Sequence, residues 1–466
     1  MQYNKITPTN IQHLQSIVGK DFVLSDDESL KNYGHDYTED LQFNPEVVVK
    51  PKTANEISEI LKIANANLIP VTPRGAGTGL SGGALPVYGG IIISTERMNA
   101  IVEIDERNLQ CTVEPGVINQ NLRDAVEALG LFYPPDPASR GSCFIGGNLA
   151  ECAGGPKAVK YGVTKDYVLN CEVVLPTGEI IWTGANVLKN STGYNLTQLM
   201  VGSEGTLGII TKVVLKLIPL PKENLLMLVP FSSAEKACEA VSAVFKTGIT
   251  PSAMEFMERD ALLFVMKHVD VKIPIKENIQ AHLLIEVDGN DKDVLFKECE
   301  KITEVMYAHE CDEVLFADTA QQKADLWKAR RAAGEAVKTH SIYKEEDTVV
   351  PRAALPQLLK GVKEIGKKFG FNSVCYGHAG DGNLHVNIIR ENLSDDEWNT
   401  NVPQGIAEIF KLCVSLGGTI SGEHGIGWVQ KNYMPIAFNQ TQINLQKGIK
   451  KLFDPNMILN PGKIFN

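Results

Sequence analysis

The sequence has few of the features that would place a protein in a membrane, outside the cell or on a nucleic acid. No apolar run among its 466 residues is long enough to cross a bilayer. The nine cysteines are an odd number and contain no Cys-x-x-Cys pair, which argues against a disulfide framework and against an iron–sulfur cluster held by this chain alone. The 56 acidic side chains outnumber the 45 basic ones, and the net charge of −11 disfavours binding to nucleic-acid phosphates.

The first eight residues contain no apolar stretch, so we expect no signal peptide and a cytoplasmic location. Hydrophobic residues make up 44% of the chain and charged residues 22%, which is typical of globular proteins. A chain of this length is expected to form two or three domains.

Glycine, by contrast, is concentrated in residues 73–83, which contain five glycines. Glycine loses much conformational entropy on ordering, so such a cluster indicates that backbone N–H groups approach a ligand closely. Successive N–H groups in a turn form a concave site for an anion, and Arg74 adds a permanent positive charge beside it. We interpret this glycine loop as a cradle for a pyrophosphate, the alternative being a glycine-rich surface turn.

The glycine loop does not fit the two common phosphate-binding patterns. Gly77, Gly79 and Gly82 match the dinucleotide fingerprint, but that fingerprint requires a helix directly after the loop. Pro86 and two further glycines follow instead, and Ile91–Ile93 is predicted to be a strand. The chain also lacks a following Gly-Lys-Ser/Thr, so we expect the loop to bind phosphates through its own amides.

The glycine loop is one of five motifs that occur in a specific order. The others are Pro134–Ser139, Ile145–Asn148, Gly202–Gly205 and Asn460–Lys463. Together they resemble the vanillyl-alcohol-oxidase-type flavoproteins and, among them, the FAD-linked D-lactate, glycolate and D-2-hydroxyglutarate dehydrogenases. The resemblance extends from about Pro45 to the C-terminus.

This resemblance implies an α+β fold with a two-part FAD-binding domain of the vanillyl-alcohol-oxidase (PCMH) type and an α+β substrate (cap) domain built on an antiparallel sheet. The expected division is an N-terminal lead-in at 1–44, the FAD-binding domain at 45–220, the substrate domain at 221–415, and a segment at 416–466 that returns to the FAD domain. The residues expected to bind FAD are Pro73, Arg74, Gly75, Ala76, Gly77, Thr78, Gly79, Leu80, Ser81, Pro137, Ala138, Ser139, Ser142, Gly146, Gly147, Asn148, Glu204, Gly205, Gly208, Ile209 and Asn460.

Local patterns predict several elements. We expect helices at Asp27–Tyr33 and 119–129, and a helix after residue 53 with Thr53 as N-cap and Glu56 closing a capping box. A strand is expected at 68–72, and a β-rich region from 171 to 219. Beyond a boundary at 219–221 we expect a strand at 281–287 and a single helix at 318–338. The glycines of 146–147 are interpreted as close approach to a flat ring system or as tight packing.

A second group of polar residues lies in the segment 376–387. Alternation on a strand would put His385 and Asn387 on one face, with His378 on the preceding glycine-containing loop. With the later Glu423, two imidazoles and one carboxylate form a three-ligand metal site with an open position. Zinc is the expected divalent metal, with manganese or iron as alternatives, and three unrelated polar residues are the competing interpretation.

A 2-hydroxy acid could chelate such a metal through its carboxylate and hydroxyl, which lowers the hydroxyl pKa. His424, next to Glu423, is the candidate base that takes the proton. The family resemblance implies that Arg330 binds the substrate carboxylate, with Arg331 as the alternative. Asn387 and Lys344 complete the expected substrate residues.

Two positions depart from relatives of the family. Members with covalent FAD have a histidine where this chain has Thr78, so we expect non-covalent FAD. In the D-2-hydroxyglutarate branch a lysine binds the distal carboxylate, but here Lys344 is out of register by one and precedes Glu345 and Glu346. Two carboxylates would repel a dianion, which favours D-lactate or glycolate.

The electron acceptor is expected to be external: an iron–sulfur subunit, an electron-transfer flavoprotein or a quinone. Peripheral membrane attachment through that partner and a homodimer stay open. The alternatives to oxidation of a small hydroxy acid are the same chemistry on D-2-hydroxyglutarate, a flavin-free metal-dependent hydrolase, and a non-catalytic flavoprotein subunit.

Overall fold

The computed structural model describes residues 2–38 and 41–466, and these form two compact units. The first unit comprises residues up to Gly154, Val163–Leu220 and Glu423–Asn466. The second comprises Gly155–Gly162 and Pro221–Gly422. No helix in the described part of the chain is long and apolar enough to cross a membrane.

The strands are β1 Val23–Leu24, β2 Val47–Val49, β3 Val71–Arg74, β4 Ile91–Ser94, β5 Ile101–Asp105, β6 Gln110–Val113, β7 Leu131–Phe132, β8 Val168–Val174, β9 Ile180–Trp182, β10 Ile209–Lys216, β11 Ile218–Pro219, β12 Glu223–Phe231, β13 Ala253–Glu258, β14 Ala281–Gly289, β15 Leu315–Phe316, β16 Tyr343–Val349, β17 Asn372–Gly377 and β18 Asn383–Ile389. The α-helices are α1 Pro8–Val18, α2 Asp27–Tyr33, α3 Ala54–Asn67, α4 Asn119–Glu127, α5 Ile145–Glu151, α6 Ala158–Tyr161, α7 Leu196–Met200, α8 Ala234–Lys246, α9 Arg259–His268, α10 Lys292–Ala308, α11 Ala320–Arg331, α12 Ala333–His340, α13 Leu355–Phe369, α14 Val402–Ser415, α15 Met434–Ala437 and α16 Gln440–Phe453.

The first unit contains a four-stranded sheet of order β1-β2-β4-β3, in which β2, β4 and β3 are parallel. Helix α3 buries its apolar stripe, including Ile57 and Leu61, in the core of this sheet. Leu14 and Val18 of α1 join the same core, so the N-terminal residues are part of this unit. The glycine loop follows the carboxyl end of β3, the position at which parallel sheets bind ligands. A five-stranded antiparallel sheet, β5-β6-β10-β8-β9, completes the β structure together with the short pair β11-β7.

The second unit is built on a seven-stranded antiparallel sheet of order β15-β12-β14-β13-β17-β18-β16. Helices α9, α11 and α12 pack on one face, where Leu262, Ala329 and Val337 join Leu284 of the sheet in one apolar cluster. Combined with the first unit, this arrangement confirms the α+β fold class.

Four local predictions need correction. The strand expected at 68–72 begins only at Val71, because Leu68 is the left-handed C-cap of α3. The capping carboxylate of Glu56 accepts a hydrogen bond from the Lys52 N–H rather than from Thr53. The helix expected at 318–338 is divided into α11 and α12 at Ala332. Helix α5 was not predicted, since two glycines in its first turn mask its helical pattern.

Candidate active site

The first two residues of the glycine loop end β3, residues 75–83 are irregular, and no helix follows them before β4, as the sequence predicted. Residues 75–80 of the loop are half-buried. Gly77 adopts a φ of +73°, and a side chain there would collide with the Arg74 guanidinium. Nothing lies within 4 Å of the position that a Cβ on Gly79 would take. The loop is held from behind, where the Trp428 and Val429 N–H groups donate to the Ser81 carbonyl at 2.9 and 3.1 Å.

Arg74 is the strongest sign that this loop takes an anion. Its side chain is only 8% exposed, and within the described residues Nη1 has no hydrogen-bond partner. The buried Ser81 hydroxyl likewise has no partner there. Burial lowers the pKa of Arg74 and Asp36 opposes this, but a guanidinium stays charged. A buried cation and a hydroxyl without a partner among the described residues, next to the backbone amides of the glycine loop, fit the diphosphate of FAD.

Helix α5 begins beside the glycine loop. The Gly147 nitrogen lies 3.9 Å from the position of a Cβ on Gly75. A Cβ on Gly146 would lie 2.6 Å from Pro115 Cβ, whereas the Cβ position of Gly147 is open for 4 Å. Gly146 therefore allows close packing of α5 against Pro115, whereas the side of Gly147 where a Cβ would lie is open. No helix follows the loop directly, but α5 begins beside it, and the sequence analysis did not predict this helix. The four-residue spacing of the apolar Ile145 and Leu149, which are both buried, was the signal that could have revealed α5.

The other expected FAD residues are arranged around this loop or near α5. Asn460 Nδ2 donates to the carbonyls of Gly83 at 3.0 Å and Glu204 at 2.7 Å. A Cβ on Gly205 would lie 2.6 Å from Pro73 Cγ. Asn148 accepts a hydrogen bond from Asn119, and residues Pro137, Ala138, Ser139 and Ser142 form the turn before α5. Gly208 packs against Val173, and the Ile209 side chain lies in the apolar core, so only its backbone could meet a cofactor.

Two buried carboxyl groups in the first unit lie next to the segment 425–427. Glu204 accepts hydrogen bonds from the N–H groups of Ile426 at 2.8 Å and Gly427 at 2.6 Å. Burial raises the pKa of Glu204 to about 7, and these two hydrogen bonds oppose the rise. Burial and the charge of Glu204 raise the pKa of Glu151 well above its ordinary range. The nearby Lys463, also buried, has its pKa lowered to about 7.

In the second unit, alternation along β18 puts His385 and Asn387 on one face, as predicted. Strand β16 pairs with β18 so that Asp347 is opposite His385 and Glu345 is opposite Asn387. His385 Nδ1 lies 3.5 Å from the Glu345 carboxylate and 3.8 Å from that of Asp347. The sheet thus gathers two carboxylates around one imidazole.

The centre of this face is Glu255, a residue that sequence reasoning missed. Its carboxylate is fully buried on β13, 2.8 Å from His378 Nδ1 and 2.6 Å from Arg330 Nε. Burial alone would raise the pKa of Glu255. The charges of His378 and Arg330 outweigh this effect, so the pKa of Glu255 lies below its ordinary value. The rings of His378 and His385 lie 5.3 Å apart. The structure therefore brings Arg330, His378 and His385 together.

Lys344 does not belong to this group. It lies between Tyr343 and Glu345 on β16, so its side chain points to the opposite face, where Nζ lies 5.2 Å from the centre of the Trp398 ring. The expectation that Lys344 binds substrate is therefore wrong. Glu346 shares that opposite face, which leaves Glu345 and Asp347 on the face of His385.

Glu423 and His424 begin the last segment of the first unit. Glu423 Oε2 accepts a hydrogen bond from the Gly154 N–H at 2.9 Å. The residue before it, Gly422, closes the second unit, and its N–H donates to the Asp347 carboxylate at 2.8 Å.

Comparison with known families identifies the class of protein to which this α+β fold belongs. The family model for the C-terminal domain of FAD-linked oxidases matches residues 220–464, and that for an FAD-binding domain matches residues 45–184. The chain belongs to the FAD-linked oxidases.

Full-length relatives are similar to it. The chain is 40% identical to D-lactate dehydrogenase of Anaerostipes hadrus, over 99% of this chain and 98% of the relative. It is 41% identical to glycolate oxidase subunit GlcD of Bacillus subtilis, over 93% and 92%. The solved structure of p-cresol methylhydroxylase with substrate bound shares the fold, with a TM-score of 0.81, 18% identity and coverage of 98% and 96%.

Proposed function

We propose that this protein oxidises a small D-2-hydroxy acid, D-lactate or glycolate, to the corresponding 2-oxo acid. FAD, when bound, accepts the hydride from the substrate carbon. The substrate hydroxyl gives its proton to a base of the protein, and the two electrons leave for an external acceptor. That acceptor is an iron–sulfur subunit, an electron-transfer flavoprotein or a quinone. The names of the two relatives support this choice of substrate class.

The observation that carries the proposal is the buried group Glu255, Arg330 and His378. Arg330 is 4% exposed, its Nε faces Glu255 and its Nη2 lies 3.5 Å from His378 Nδ1, so a substrate carboxylate would approach from the Nη side of the guanidinium. The fixed planar fork suits bidentate binding of a carboxylate. Asn387 is a second proposed substrate contact, on the same face as His385.

We propose His378, His385 and Glu423 as the ligands of a divalent metal, with zinc first and manganese or iron as alternatives. His378 Nδ1 faces Glu255, which leaves Nε2 as the ligand atom, and metal-bound imidazoles commonly have such a carboxylate on their other nitrogen. A metal there would polarise the substrate hydroxyl. His424, adjacent to Glu423, is the proposed base.

FAD is proposed to bind non-covalently, through the residues expected from the sequence, because Thr78 stands where covalent relatives have histidine. Acid precipitation should therefore release it. D-2-hydroxyglutarate is the second candidate substrate. Glu345 and Asp347 beside His385 would repel a second substrate carboxylate, which favours the monoacids.

The test is steady-state kinetics with an artificial electron acceptor and the D- and L-isomers of several hydroxy acids. His424→Ala should lower kcat by ~10²–10⁴-fold, because a positioned base acts only as the proton leaves. Arg330→Lys should mainly raise KM, since lysine keeps the charge but loses the fork. Arg331→Lys tests the alternative: a rise in KM there, without one in Arg330→Lys, would make Arg331 the carboxylate ligand. An unchanged kcat and pH profile in His424→Ala would mean that another group is the base.

A further inference from the structure

Residues 33–38 and 41–43 lie outside the region that the FAD-binding family model matches, yet Tyr37 contacts the glycine loop and Phe43 contacts a residue that supports it. The Tyr37 N–H donates to the Gly79 carbonyl at 3.1 Å. The Phe43 ring lies 5.8 Å from the ring of Trp428, whose N–H supports Ser81 of the loop. The N-terminal segment is therefore part of the wall of the cofactor site.

Tyr33, the last residue of α2, connects this segment to Arg74. The guanidinium carbon of Arg74 lies 5.6 Å from the centre of the Tyr33 ring, within the range of a cation–π contact. The Tyr33 hydroxyl donates to the Glu96 carboxylate at 2.6 Å, and Lys50 pairs with the same carboxylate at 2.7 Å. Lys50 Nζ also lies 5.3 Å from the centre of the Tyr33 ring, so the ring is in contact with two cations, of which only Arg74 belongs to the glycine loop.

Arg74 needs such a contact because most of its hydration is lost. Among the residues that the structure describes, Nη1 has no partner, and a buried guanidinium in that state is costly unless a ligand or a neighbouring group compensates for it. Asp36 supplies opposite charge nearby, since Asp36 raises the pKa of Arg74 against the larger effect of burial. An aromatic face can hold the cation without using its N–H donors, which leaves them for an incoming anion.

We propose that Tyr33 is a positioning residue of the cofactor site: its ring holds the Arg74 guanidinium in the orientation that receives the diphosphate of FAD. This inference rests on the proposed role of Arg74 as a diphosphate ligand. It adds α2 to the cofactor site and assigns the ring face, rather than the hydroxyl, as the part of Tyr33 that acts.

The test is titration of the apoprotein with FAD and, separately, with ADP, which carries the diphosphate but no flavin. Tyr33→Met should weaken both ligands by the same factor, about 2- to 30-fold, the range expected for a cation–π contact. Tyr33→Phe keeps the ring and should stay within about twofold of the parent protein. Tyr3→Met is the matched control, because the ring of Tyr3 also packs against another side chain: its centre lies 5.3 Å from the centre of the Tyr88 ring.

A fluorinated variant and an Arg74→Met background keep the test decisive if Tyr33→Met does not fold. Pentafluorophenylalanine is close to phenylalanine in size, but the face of its ring is electropositive rather than electronegative. The protein with this residue at position 33 should therefore bind FAD more weakly than Tyr33→Phe does. In an Arg74→Met background, neither change at position 33 should matter further.

The outcomes separate the two claims. If Arg74→Met binds FAD and ADP as well as the parent protein does, the proposed role of Arg74 fails. If Arg74→Met weakens binding but Tyr33→Met and the fluorinated variant bind as tightly as Tyr33→Phe, Arg74 keeps its role and the positioning role of Tyr33 is overturned.

Discussion

At the level of single residues, the carboxylate of Glu255 explains how the second unit can bury the side chains of Arg330 and His378 on one face of its sheet. A fully buried carboxylate is tolerated because His378 and Arg330 both contact it. Its partners are 123 and 75 residues away in the sequence. A carboxylate within the apolar strand β13 is visible in the sequence, but only the sheet pairing shows what it meets.

Glu255→Gln should strongly destabilise the protein, because it leaves the Arg330 charge buried without a counter-charge. Breaking one side of a buried pair costs about 3–5 kcal/mol. The pKa of Glu255 is lowered in the folded protein, so its stabilising contribution is present above its ordinary value of 4.5 and is lost as the pH falls through the folded value.

The measurement is denaturant unfolding of the parent protein, Glu255→Gln and the exposed control Glu239→Gln between pH 3 and 7. In the parent and the control, the free energy of unfolding should fall on acidification as Glu255 is protonated. In Glu255→Gln this fall should be absent. Equal stability of all three proteins at neutral pH would mean that the carboxylate does not hold Arg330.

At the scale of elements, helix α5 shows why two adjacent glycines differ in purpose. Gly146 faces Pro115, and Gly147 faces open space beside the glycine loop. The order of motifs was enough to predict both as cofactor residues. It was not enough to predict the helix, because glycine is a poor helix former and only tertiary packing stabilises this short element.

Gly146→Ala should destabilise the fold by about 1–3 kcal/mol, since its Cβ would overlap Pro115. Gly147→Ala should leave the apoprotein at least as stable as the parent and weaken FAD binding, because the methyl group enters space that we assign to the cofactor. Thermal unfolding of the apoproteins and FAD titrations measure the two effects. Tight FAD binding by Gly147→Ala would remove Gly147 from the cofactor site.

Other elements followed directly from local sequence. Helix α2 was predicted with its observed bounds, and Thr53 is the N-cap of α3, accepting from the Glu56 N–H at 3.2 Å. The alternation of β18 correctly placed His385 and Asn387 on one face. Lys344 was expected to contact substrate by analogy with a lysine of the D-2-hydroxyglutarate branch, although it is out of register by one. The pairing of β16 with β18 puts its side chain on the face opposite His385.

At the scale of the whole molecule, the candidate cofactor residues and the candidate metal histidines belong to different units. The glycine loop and α5 lie in the first unit, and His378 and His385 lie in the second. Loss of one ligand set should therefore leave the other intact.

His378→Ala and His385→Ala should each lose the bound metal and the activity while retaining FAD. The measurement is metal content by mass spectrometry together with flavin absorbance of the same samples. His309→Ala, at the end of α10, is the control. Full activity of either variant after treatment with a chelator would refute the metal role.

The proposed function requires that a small D-2-hydroxy acid delivers its hydride to the bound FAD. The most direct measurement is the flavin absorbance of the purified protein mixed with D-lactate, glycolate or L-lactate without oxygen or any other acceptor. We expect D-lactate or glycolate to bleach the flavin band and L-lactate to leave it unchanged. A flavin that no 2-hydroxy acid bleaches, but that dithionite reduces, would contradict the proposed function.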